Sequence, residues 1–254
     1  MKTEELIKKY NINLKKLEEE QKKLAKLITI KDAIDFSLVT NIAAIDNVFY
    51  KNQIISAIVV MNEDKEIVHQ EYTQEKVHFP YLPGFRAYRE LPAMLQSYHK
   101  LEEHPDVVII SGQGIVNDRL GLASHFSLAS GNIPTIGLSS KMIEGVELKN
   151  NLIYKDNKVV GKALETKPGS KPLLLSPGNS ITLESAEKIV LKYTTQPHKI
   201  PEPLRYASKF AKKILKEIAQ NENSFAEKTI EKNQSKEENF DGNGELPPQD
   251  FSDE

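Results

Sequence analysis

Three apolar runs joined by very short links constrain this chain more than any other feature. VTNIAAIDNVFY (39–50), QIISAIVVMN (53–62) and EIVHQEYTQE (66–75) are separated only by Lys51-Asn52 and by Glu63-Asp64-Lys65. Links this short return the chain beside itself, so the pattern predicts a three-strand antiparallel meander. FPYLPG (79–84) then places two prolines and a glycine in six residues, which excludes regular structure. A helix is expected over 85–102, with Leu91, Leu95, Tyr98 and Leu101 on one face. DVVIISGQGI (106–115) reads as a strand buried on both faces that ends at Ser111 and opens into a tight turn. A helix near 121–130 and a strand over 133–140 follow, so a parallel half is joined to the antiparallel one. Residues 152–176 give a hairpin-like pair and a short strand, PLLLS, and helices are expected at 182–193 and 203–219.

Outside this body, residues 4–28 carry Leu6, Ile7, Leu14, Leu17, Leu24 and Leu27 at roughly helical spacing, as one or two amphipathic surface helices would. The expected organisation is an N-terminal helical segment (1–30), a globular domain (31–220) and a disordered acidic tail (221–254). The tail holds 10 acidic and 3 basic residues, a net of −7, so the total of −2 leaves residues 1–220 at +5. A mildly basic body with an acidic appendage suits a nucleic-acid partner, and equally an ordinary solvated surface. No run of 18 apolar residues is present, which argues against a membrane-spanning helix. The charged N-terminus has no secretory pattern, so a cytoplasmic location is expected. The absence of cysteine excludes disulfides and thiolate metal sites.

A meander followed by helix, strand, helix and strand is the ribonuclease H-like order: an α/β fold with a mixed central sheet flanked by helices. In that architecture the sheet holds carboxylates close enough to share divalent metals. Asp46 falls inside an apolar segment, between Ile45 and Val48, where a carboxylate is costly unless paired or metal-bound. Read alone, it is as well explained as a strand-end aspartate. Glu90, in GFRAYRELP, is on its own an ordinary first-turn helix carboxylate favoured by the helix dipole.

FPYLPGFRAYRELPAML, PDVVIISGQGI, GLASH, IPTIGL, SPGN and IPEPLRYA occur in this order over residues 79–207. Together they resemble the endonuclease V family, magnesium-dependent nucleases that cleave near deoxyinosine in DNA or inosine in RNA. The resemblance covers about residues 38–218. It implies that Asp46 and Glu90 are metal-binding carboxylates, with Mg²⁺ as cofactor and Mn²⁺ as an alternative. Pro80, Tyr81, Leu82 and Pro83 match the family's wedge loop, with Tyr81 filling the space that a displaced base leaves. A proline-stiffened loop with an aromatic tip suits that task. Gly84, Gly112 and Gly121 match positions around the inosine pocket, with Gln113 in the adjoining turn. The implied partner is inosine-containing or structured DNA or RNA.

The departures from the family pattern are equally specific. Ser111 replaces the aspartate of Asp-Gly-Gln-Gly, so the third metal carboxylate is gone. Asn117-Asp118-Arg119 stands where a histidine is expected, in a loop one residue shorter. The lysine after Thr-Ile-Gly falls at Ser140, with Lys141 one place later. Asn179 and Ser208 replace two further histidines. These substitutions are expected to fall on one site. Magnesium is usually held by one or two carboxylates plus water and phosphate, so Asp46 and Glu90 could retain one ion, with Ser111 binding weakly or through water. Asp118 is a remote substitute ligand. Hydrolysis also requires an activated water and positive charge around the phosphorane, and each missing group removes roughly 10²–10³ in rate. Two readings follow: a working endonuclease, or a homologue that binds inosine-containing or branched nucleic acid without cleaving it. A third, a phosphate loop at Gly112-Gln113-Gly114, lacks the further glycine such a loop needs at Asn117.

Overall fold

The computed structural model describes residues 3–115, 120–142 and 145–238, with side chains described as far as Asn221. By its internal contacts the chain divides into two units, Met1–Lys212 and Lys213–Glu254. In the second, the described residues form helix only.

Two short helices, α1 (Thr3–Lys9) and α2 (Leu14–Ala25), precede the sheet. Asn13 caps α2 by accepting from the Lys16 amide, as an Asx residue at that position should. The meander forms as β1 (Ile42–Tyr50), β2 (Gln53–Met61) and β3 (Ile67–Lys76), all antiparallel. Next come α3 (Arg86–His99), β4 (Val107–Ser111), α4 (Leu122–Ala129) and β5 (Thr135–Ser139). β4 lies parallel to both β1 and β5. The chain continues through β6 (Glu147–Lys149), β7 (Leu152–Lys155), β8 (Lys158–Leu164) and β9 (Leu173–Asn179). It ends in α5 (Leu183–Lys192) and α6 (Glu202–Glu238). The nine strands are ordered β3-β2-β1-β4-β5-β9-β8-β7-β6 in one mixed sheet.

Alternation along the central strands splits the core in two. Ala43, Ile45, Val108 and Ile110 pack with Ala87, Met94 and Tyr98 of α3 and with Phe126 of α4. Ile42, Ala44, Val107 and Ile109 pack on the opposite face with Ile189 and Val190 of α5 and with Leu204 and Ala207 of α6. β4 is apolar on both sides because both of its faces are covered.

Three features differ from the sequence reading. β6 escaped it because its residues are all exposed and carry no apolar alternation. β9 runs past PLLLS through Pro177 to Asn179, and the pairing with β5 shifts at this point, where a residue without an N–H is tolerated. Regular structure was expected to end near 220, but α6 continues to Glu238, through residues rich in Glu and Lys, which are good helix formers. The tail beyond Glu238 lies outside the described residues. Among the described residues, no helix is long and apolar enough to cross a membrane.

Candidate nucleic-acid cleft

A cleft of about 1030 Å³ opens where β4 and β5 end and α3 begins. It gathers Tyr81, Pro83, Gly84, Glu90, Ser111, Gly112, Gln113, Ser140 and Lys141 from the sequence reading, together with Arg86 and Arg89. Position follows from topology. β1 and β4 run parallel with Ile45 beside Ile110, so Asp46 and Ser111 occupy the next level of the sheet.

One end of the cleft is the loop before α3. Leu82 and Phe85 are buried and fix it, and the Phe85 amide donates to the Leu82 carbonyl at 3.0 Å. Pro80 is buried beneath the loop. Tyr81 is left 59% exposed, an aromatic ring presented to solvent by a stiff backbone. Gly84 has φ +81°, a conformation that disfavours any side chain. Its carbonyl accepts from Gln21 Nε2 of α2 at 3.1 Å. Gln21 is 1% exposed, so the N-terminal segment, expected as a surface appendage, secures the wedge loop from behind. Gly121 is needed for another reason. A Cβ there would lie 1.9 Å from the Gln113 carbonyl oxygen, so the room it leaves is filled by the chain itself. It does not line the cleft. His125 Nδ1 lies 3.0 Å from the Gly121 carbonyl. Burial pulls the His125 pKa below its ordinary value against the opposing effects of that carbonyl and Glu20, so the ring is neutral and Nδ1 is the donor.

The other end holds the carboxylates. Glu90 is 2% exposed on its side chain. Arg86, one helical turn earlier, clamps it with Nε to Oε1 at 2.7 Å and Nη2 to Oε2 at 2.9 Å. Asn47 Nδ2 of β1 donates to the same Oε2 at 2.9 Å. Arg86 Nη2 also reaches the Ser111 carbonyl at 3.3 Å. Burial lowers the Arg86 pKa, but its hydrogen bonds and attraction to Glu90, with smaller contributions from Tyr81 and Asp46, leave it above the ordinary value. Asp46 accepts from the Asn47 amide at 3.0 Å and does not line the cleft. Among the described residues, no group of three His, Asp or Glu side chains is placed to hold a metal ion. The Arg86 guanidinium sits on both Glu90 oxygens as a fixed positive charge, and Ser111 offers only a hydroxyl, so the residues present do not fit a magnesium ion while Arg86 holds Glu90.

The substitutions read as one cluster do not all meet. Ser111 and Ser140 line the cleft. Asn179 lies opposite Thr135, at the far end of β5 from Ser139, about 13 Å away along the strand. It is 1% exposed; its Oδ1 accepts from the Thr29 amide at 2.8 Å and its Nδ2 donates to Ser127 Oγ at 3.1 Å. Asn179 therefore ties strand, helix and N-terminal segment together, remote from the carboxylates. Ser208 sits on α6 and does not line the cleft. Asn117 and Asp118 lie outside the described residues. Arg86 and Asn47 were missed in sequence. The signal was the four-residue spacing of Arg86 and Glu90, which puts them on one helix face.

The family profile for endonuclease V matches residues 22–209. The chain belongs to the endonuclease V family. The endonuclease V of Dictyoglomus thermophilum is 34% identical over 204 residues, 77% of this chain and 88% of that protein. The crystal structure of Bacillus subtilis endonuclease V superposes with a TM-score of 0.78 at 26% identity, covering 83% of this chain and 95% of that one. Ciona intestinalis endonuclease V, solved with a 24mer DNA containing an inosine followed by a ribo-adenosine, gives a TM-score of 0.73 at 26% identity over 81% of this chain and 98% of that one. The neighbours share the ribonuclease H-like fold of this endonuclease V chain.

Proposed function

We propose that this endonuclease V homologue binds inosine-containing DNA or RNA in the cleft and does not cleave it by the metal-dependent route of its family. One observation carries the reading: Arg86 and Asn47 occupy the Glu90 carboxylate, and Ser111 leaves the sheet tip without a third acid. The binding half is supported by exposed Tyr81 on its fixed loop, by glycines that let backbone approach a displaced base, and by the inosine-DNA complex of the Ciona relative. Unpairing costs least at a mismatched base, which favours inosine over a normal pair. The retained Asp46 and Glu90 favour the second reading, Mg²⁺- or Mn²⁺-dependent hydrolysis beside inosine.

The deciding experiment pairs two assays on one inosine-containing oligonucleotide with an adenine control. Binding selective for inosine, with no nicking in Mg²⁺ or Mn²⁺ and none restored by Ser111→Asp, is the expected result. Nicking that disappears in Asp46→Ala would establish the second reading instead. Equal binding of both oligonucleotides would overturn both.

A further inference from the structure

We propose that the Arg86 guanidinium is a built-in cation that stands in for the metal and takes a backbone phosphate of the bound strand on its free edge, so that binding needs no divalent ion. The inference rests on the binding reading above and specifies its phosphate site. A guanidinium carries five donors in a planar fork, enough to grip a carboxylate on one edge and an anion on the other. Arg86 uses Nε and Nη2 on Glu90, and Nη2 again on the Ser111 carbonyl. Its Nη1 donates to none of the described residues, although the side chain is 41% exposed and lines the cleft beside Tyr81. The buried Glu90 fixes the fork, so a phosphate meets an oriented donor and not a mobile arm.

The surrounding charge fits an anion. Among the described residues that line the cleft, Arg86, Arg89 and Lys141 stand against one carboxylate, Glu90, with Asp46 close enough to act on Arg86 from outside the lining. Arg89 is itself held, with Nη1 on the Phe79 carbonyl at 3.2 Å and its guanidinium 4.4 Å from the centre of the Phe49 ring. A divalent ion seeking Glu90 would meet oxygens that already accept from Arg86 and Asn47, with the Arg86 charge beside it and a second cation, Arg89, in the same cleft. The guanidinium and the metal therefore compete for one place.

The test is fluorescence anisotropy on a short single-stranded DNA with one deoxyinosine, against a deoxyadenosine control, in EDTA and in Ca²⁺. Manganese binding is followed in parallel by electron paramagnetic resonance. The wild-type protein should bind the deoxyinosine strand equally in both buffers, within about twofold, and should hold no Mn²⁺ at the cleft. Arg86→Ala should bind about tenfold or more weakly in EDTA. It should regain affinity in Ca²⁺ and bind Mn²⁺, because Glu90 is released. Arg86→Lys keeps the charge without the fork and should fall between, still insensitive to EDTA; circular dichroism checks that each variant folds. Wild-type binding that is lost in EDTA, tight Mn²⁺ binding by the wild type, or unchanged EDTA binding by a folded Arg86→Ala would each overturn the proposal. Those results leave inosine selectivity standing, whereas equal binding of the two strands sinks the functional reading itself.

Discussion

The two ends of the cleft are built from different materials, one from backbone and buried packing, the other from charged side chains. The wedge end is built from backbone: a loop pinned by Leu82 and Phe85, Gly84 at positive φ, and the Gln113 carbonyl packed against Gly121. Such a surface depends on shape, and Gln21 of α2 holds it at the Gly84 carbonyl. At the carboxylate end the arrangement depends on a few charged side chains: Arg86 holds Glu90 and reaches the Ser111 carbonyl, while β1 and β4 keep their parallel register. On the function proposed above, binding and cleavage are separable on this scaffold, because backbone architecture constrains the first and side-chain identity the second.

The most damaging change should fall at the wedge end. Gly121→Ala pushes a Cβ against the Gln113 carbonyl, and we expect a loss of about 3 kcal/mol or more, seen as a lowered urea midpoint with recognition lost as well. If the variant keeps wild-type stability, the backbone account of this end is broken. Tyr81→Ala should leave stability within about 0.5 kcal/mol, because the ring is exposed. It should weaken the inosine strand by about 1–3 kcal/mol, as for loss of one stacked base, measured by anisotropy.

Asn179→His returns the residue expected from the family pattern and sharpens the contrast from outside the cleft. Because Asn179 is a buried hydrogen-bonding hub, the larger ring should cost about 1–2 kcal/mol in a thermal melt and restore no nicking. The smallest effect concerns pH. His125 is held neutral by burial, so the unfolded chain takes up a proton near pH 6.5 that the folded chain resists. Its contribution to stability is complete above about pH 6.5 and falls as the pH drops toward the lower folded value. His125→Gln should flatten that decline, which is at most about 1.4 kcal/mol per pH unit, in urea titrations between pH 5 and 7.

The meander and the parallel core were legible because links of two and three residues permit one pairing and because β4 is apolar throughout. β6 and the long α6 were not, since neither announces itself by apolar periodicity. At the site, Tyr81, Glu90, Ser111, Gly112 and Lys141 were read from motifs and meet in one cleft. Asn179 was misplaced because motif order along the chain does not say which end of a strand faces the cleft. Arg86 was passed over because an arginine in a first helical turn looks like solvated surface until Glu90 is known to be buried.

The most direct test is diffraction at the manganese absorption edge from crystals grown with an inosine-containing strand and Mn²⁺. The account predicts Tyr81 in the base stack, Arg86 Nη1 on a phosphate oxygen, and no anomalous peak at Glu90. A peak about 2.1 Å from a Glu90 oxygen, with Arg86 swung away, would contradict it.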